Sequence, residues 1–155
     1  MNRSLLRHAF ILIFLSLLAS FFIPAMALPR LGLSAHTIGI VSGVLLIGLG
    51  VIWTQFALSA RQLLWLKTSW LYAAYVNWLG CLIGAIFGAG KMTPLAASGQ
   101  VGPAAAEAVV MLMLGSVGLV SLFAAALTWW GLRYEAPVHG DGTGRSPALG
   151  GGRHR

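Results

Sequence analysis

AAAEAVVMLMLGSVGLVSLFAAALTWWGL, residues 104–132, carries a single charged group, Glu107, near its start. At a rise of ~1.5 Å per residue the stretch is long enough to cross the ~30 Å hydrocarbon core of a bilayer. A carboxylate in such a run must find a partner or stay protonated, which makes Glu107 a functional-site candidate before any comparison is drawn. The plainer reading places it close enough to the interface to reach headgroup water. Runs of the same kind occupy 5–28, 35–58 and 69–90. The predicted fold class is therefore all-α: an integral membrane four-helix bundle over residues 1–133.

Composition agrees. With 58% hydrophobic and 8% charged residues the chain has too little polar surface to cover a soluble globule. Its formal charge of +7 could suggest nucleic acid, but the basic residues are scattered at the ends of the apolar runs, so no nucleic-acid partner is expected. They report topology instead. Arg3, Arg7, Arg61, Lys67 and Arg133 share one side of a four-span arrangement, against Arg30 and Lys91 on the other. Both termini are expected in the cytoplasm, in a bacterial inner membrane. Arg3 and Arg7, the apolar stretch that follows and Ala25-Met26-Ala27 also satisfy the pattern of a cleavable secretory signal. Residues 134–155, rich in Gly, Pro and polar groups, are predicted to be a disordered tail in which His139 and His154 are solvated. Cys81 lies within the third run and reads as a small packing residue.

The small and polar residues say more than the leucines. Helical spacing puts His36, Gly39, Gly43 and Gly50 on one face of the second span. On the third it aligns Ala73, Asn77, Gly80, Cys81, Gly84 and Gly88, and on the fourth Glu107, Met111, Leu114, Gly118, Ser121 and Ala125. Small residues let membrane helices approach closely, so these faces are expected to point into the bundle or a subunit interface. Asn77 falls near mid-membrane, where an unpaired amide costs several kcal/mol; it is either interhelical glue or a substrate contact. His36 is either an interfacial histidine or a ligand, and Tyr75, two residues before Asn77, either joins the interfacial belt or reaches inward. Trp53, Trp65, Trp70, Trp129 and Trp130 read as that belt, and Lys91 as a snorkelling side chain. The loop 88–103 is long, nearly uncharged and rich in small residues, which suits a segment folded back over the bundle mouth. Arg30, His36, Lys91 and Glu107 are expected to converge there.

The segments Leu28-Pro29-Arg30-Leu31-Gly32-Leu33-Ser34-Ala35-His36, Tyr75-Val76-Asn77-Trp78-Leu79 and Gly88-Ala89-Gly90-Lys91-Met92-Thr93-Pro94-Leu95-Ala96, with Glu107 and the closing Trp130-Gly131-Leu132-Arg133, resemble the hydroxylaminobenzene mutases. The resemblance spans about residues 7–133. It implies a small bacterial membrane isomerase that turns an aryl hydroxylamine into an ortho-aminophenol. A weaker similarity reaches styrene oxide isomerase, a four-helix trimer with ferric haem b between subunits. That similarity implies His36 as the iron ligand, Gly39 and Gly43 as room for the flat macrocycle, and Ser34 or Ser42 as the nearest hydroxyl to orient the imidazole. Asn77 or Tyr75 would then orient substrate, and Glu107 or Arg30 would tune the site's charge. Where those relatives often have an acidic residue and an asparagine after the histidine, this chain has Ile38 and Ser42.

The chemistry suits a membrane cavity. Moving a hydroxyl from nitrogen to the ortho carbon involves no net redox change and no soluble co-substrate, but needs a polarised N–O bond and a site closed to bulk water. The expected partners are an apolar aromatic entering from the bilayer, lipid, and further copies of the chain in a homo-oligomer, a trimer by resemblance. The alternatives are an epoxide isomerase, a small four-helix exporter and an assembly subunit. The known exporters of this size carry their glutamate in the middle of the first helix, whereas Glu107 opens the last.

Overall fold

The computed structural model describes residues 1–133; the predicted tail lies outside the described residues. Within them the chain forms α1 (Arg3–Ser20), α2 (Pro29–Val51), α3 (Ala60–Phe87), a single turn α4 (Pro94–Ala97) and α5 (Ala104–Gly131). Short 3-10 turns, Ile23–Ala25 and Ile52–Gln55, follow α1 and α2. Four of these helices are long and apolar enough to span a membrane.

Local chemistry sets the ends. Asn2 caps α1 by accepting from the Ser4 and Leu5 amides at 3.1 and 3.3 Å. α1 stops at Ser20, earlier than the apolar run suggests, and the chain turns through the short helix that contains Pro24, whose missing N–H cannot serve an α-helix interior. Pro29 instead occupies the first turn of α2, where no donor is needed. α3 starts nine residues before the 69 read from hydropathy, at Ala60, because Ser59 and Gln62 form a reciprocal capping box that carries Arg61 and Lys67 into the helix. It ends at Gly88, whose φ of 71° is left-handed and suits glycine.

The helices pack serially: α1 on α2, α2 on α3, α3 on α5, with little contact between α1 and α3. The α1–α2 seam is the tightest. Leu5, Ala9, Leu12 and Ser16 are fully buried on α1, and Gly39, Gly43 and Gly50 face them from α2. α5 buries Glu107, Val110, Val117, Ala124 and Gly131, a period of seven that matches one stripe against α3. That stripe differs from the predicted small-residue face. Met111 and Ala125 are exposed and nothing approaches Gly118, so those three look outward, while Glu107, Leu114 and Ser121 of the same predicted face turn into the bundle. The ends are stitched by main chain: Leu28 N–H donates to Ala85 O at 3.0 Å and Ala57 N–H to Gly131 O at 2.9 Å.

Candidate active site

His36 is half-buried on α2 with its Nδ1 2.9 Å from the backbone carbonyl oxygen of Ser16 on α1. A carbonyl only accepts, so Nδ1 carries the proton, and Nε2 is the ring atom left for a ligand. The orienting partner is therefore Ser16 main chain, and neither serine hydroxyl named from sequence: Ser34 Oγ donates to Arg30 O at 3.1 Å. Sequence offers no signal for a carbonyl partner, although Ser16 is a buried polar residue among the leucines of α1.

Gly39 and Gly43 make that bond possible in a way the expectation missed. A Cβ on Gly39 would collide with Ser16 Oγ and stand 2.7 Å from Trp78 Cδ1; one on Gly43 would collide with Ile13. The space below His36 is thus filled by α1 and Trp78, and leaves no room for a macrocycle inside the protomer. The glycines bring α1 close enough for the Ser16 carbonyl to reach the imidazole.

Asn77 points to a second feature. With Ser42 on α2 and Ser121 on α5 it lines a cavity of about 130 Å³ whose other walls are Leu45, Leu46, Trp70, Ala73 and Ala74. Asn77, Ser42 and Ser121 make no side-chain hydrogen bond within the described residues. Three unused polar groups converging from three helices at membrane depth are a place for a polar ligand head. Ser121 was visible in the sequence only as a small residue.

The other candidates sit elsewhere. Tyr75 turns to α1, where its hydroxyl donates to His8 O and faces His8 Nδ1, both at 3.2 Å. The pair locks α1 to α3 and does not touch His36. Glu107, 3% exposed, spends both oxygens on the loop: Gly90 and Gly102 N–H donate to Oε1 at 3.0 and 2.9 Å, and Lys91 N–H to Oε2 at 3.1 Å. It is a clasp for 88–103, and the loop does fold over the outer end, with Ala97 buried against Leu28, Ala35 and Ala85. Arg30 and Lys91 have exposed side chains. The predicted convergence of Arg30, His36, Lys91 and Glu107 is thus not formed as a whole: Lys91 hydrogen-bonds Glu107 through its backbone N–H and adds its side-chain charge nearby, while His36 is bonded to the Ser16 carbonyl on α1.

Among the described residues no cluster of three or more His, Cys, Asp or Glu could hold a metal. A single histidine with a fixed ring and a free Nε2 fits axial ligation of a haem iron, for which the remaining ligands come from the macrocycle.

The family model for styrene oxide isomerase matches residues 1–133, the whole described chain. The chain belongs to the styrene oxide isomerase family. It is also 40% identical over 137 residues to hydroxylaminobenzene mutase HabB of Ectopseudomonas oleovorans, which covers 88% of this chain and 83% of that protein. A second mutase of the same organism, HabA, is 35% identical over 131 residues, 82% of this chain and 94% of the relative. No solved structure matches. This member of the family is therefore a membrane isomerase, and the exporter and assembly-subunit readings fall.

Proposed function

We propose that this styrene oxide isomerase family member is a mutase that converts an aryl hydroxylamine, such as hydroxylaminobenzene, to the ortho-aminophenol. The N–O bond breaks, a C–O bond forms at the ortho carbon, and the proton displaced from that carbon is returned to nitrogen, so atoms and electrons balance without a co-substrate. The two mutase relatives support the substrate class over an epoxide. The observation that carries the mechanism is His36: Ser16 O holds Nδ1–H at 2.9 Å and leaves Nε2 as a ligand atom.

His36 would hold ferric haem b through Nε2; when bound, that group would supply Lewis-acid chemistry for weakening the N–O bond. Because α1 fills the glycine faces below His36, residues other than Gly39 and Gly43 would have to accommodate the group. Asn77, with Ser42 and Ser121, orients the hydroxylamine head by hydrogen bonding. The apolar helices around them keep out the water that would capture the aromatic intermediate at the wrong carbon. The excess of basic residues on one side of the four spans supports a bacterial inner-membrane protein with both termini in the cytoplasm.

Purified protein tests this through colour and turnover together. Wild type should contain iron, show a Soret band and isomerise hydroxylaminobenzene without added cofactor; His36→Ala should lose the band and the activity and keep its helical content. Active, colourless, iron-free wild type would refute ligation by His36 and leave proton-assisted N–O cleavage.

A further inference from the structure

Between the outer halves of α1 and α3 runs a groove of about 420 Å³, walled by Leu15, Ala19, Phe22, Met26, Leu82 and Ile86 and bounded at depth by Trp78. The volume falls in the ~300–1,000 Å³ range of small-molecule sites. Trp78 is 8% exposed, and its Nε1–H is buried without a hydrogen-bond partner among the described residues. It is the one side-chain N–H or O–H donor among the groove's lining residues. A neighbouring groove of about 390 Å³ between α3 and α5, lined by Ile83, Phe87, Pro103, Ala105, Ala106 and Val109, has no donor at all. The second groove suits an acyl chain; the first adds, among its lining residues, a tryptophan whose donor is unpaired.

The position connects it to the site. Trp78 Cδ1, the atom bonded to Nε1, faces Gly39, one helical turn from His36, and Ser16, whose carbonyl holds the imidazole, meets the same glycine. The 88–103 loop, under its Glu107 clasp, covers the outer ends of α2 and α3 and does not line the groove.

We infer that the α1–α3 groove is the portal through which the aromatic substrate is taken from the bilayer, and that Trp78 N–H is the positioning donor that selects rings bearing a hydroxylamine or hydroxyl oxygen. The inference rests on the aryl hydroxylamine reading above. An indole only donates, an acyl chain offers it no acceptor, and an aryl hydroxylamine or aminophenol does.

Calorimetric titration of the purified oligomer in detergent with 2-aminophenol and with ethylbenzene tests it. Trp78→Phe keeps an aromatic ring and removes the donor, so 2-aminophenol should bind about 3- to 10-fold more weakly, the worth of one ordinary hydrogen bond, with ethylbenzene unchanged. Ala25→Phe, at the exposed rim of the groove, should weaken both ligands and raise KM while kcat holds. Wild-type turnover of hydroxylaminobenzene, measured alongside, checks the underlying reading separately: turnover with both variants binding like wild type overturns the portal alone. The tryptophan emission lost in Trp78→Phe gives a second readout. If chain-brominated lipid quenches that component and 2-aminophenol does not relieve it, an acyl chain is the occupant and the inference is wrong.

Discussion

Replacing Gly39 by alanine probes the seam on which the imidazole depends. The added Cβ would stand 2.7 Å from Trp78 Cδ1 and 2.8 Å from Ser16 Cβ, and would collide with Ser16 Oγ. Relaxed carbon contacts sit at about 3.5–4.0 Å, so α1 and Trp78 must retreat by roughly 1 Å. Overpacking of this kind costs ~1–3 kcal/mol. The retreat also stretches the 2.9 Å bond from His36 to Ser16 O, worth a further ~0.5–1.5 kcal/mol. Alanine's better helix propensity returns up to ~1 kcal/mol, which leaves a net loss of roughly 0.5–3.5 kcal/mol. Gly48, on the same helix, has nothing within 4 Å of its added Cβ. Gly48→Ala should be neutral or stabilising by up to ~1 kcal/mol. Reversible unfolding in mixed micelles gives both values under one condition, and mutase turnover should fall in Gly39→Ala beyond its unfolded fraction. Equal stability and equal turnover for the two variants would refute the close α1–α2 packing and its part in setting His36.

Two further substitutions separate clasp from site. Glu107→Gln keeps the shape but replaces one accepting oxygen by an N–H₂ that faces a backbone donor, so the 88–103 loop should become open to proteolysis at Lys91 while turnover is largely kept; lost turnover with a protected loop would make Glu107 catalytic after all. Asn77→Leu removes an amide that has no partner among the described residues, so stability should change by ~1 kcal/mol or less while turnover collapses; full activity in a well-folded Asn77→Leu protein would remove the amide from the site.

Much of this was legible in the sequence, for physical reasons that also mark where legibility stops. Four apolar runs in a charge-poor chain leave only membrane helices as a solution, and His36, Gly39, Gly43 and Gly50 could be placed on one face by periodicity. Periodicity does not say which neighbour a face meets. The glycines proved to receive α1, and Gly118 on α5 proved to face outward. Helix ends moved where a cap outweighed hydropathy, as at Ser59, or where a proline intervened, as at Pro24. The roles of His36 and Glu107 turned on main-chain partners, Ser16 O in one case and the amides of Gly90, Lys91 and Gly102 in the other. Every residue carries those groups, so side-chain identity gives no hint of them. Asn77 was singled out by its depth, and the cavity it shares with Ser42 and Ser121 required three helices in register.

The claim at the centre of the account is that the hydroxyl migrates within one substrate molecule in a site closed to water. Purified protein turning over hydroxylaminobenzene in water enriched in heavy oxygen tests it directly, with the product followed by mass spectrometry. The account predicts 2-aminophenol that keeps the substrate's own oxygen. Product oxygen drawn from the solvent, a para-hydroxylated product, or no conversion would contradict it.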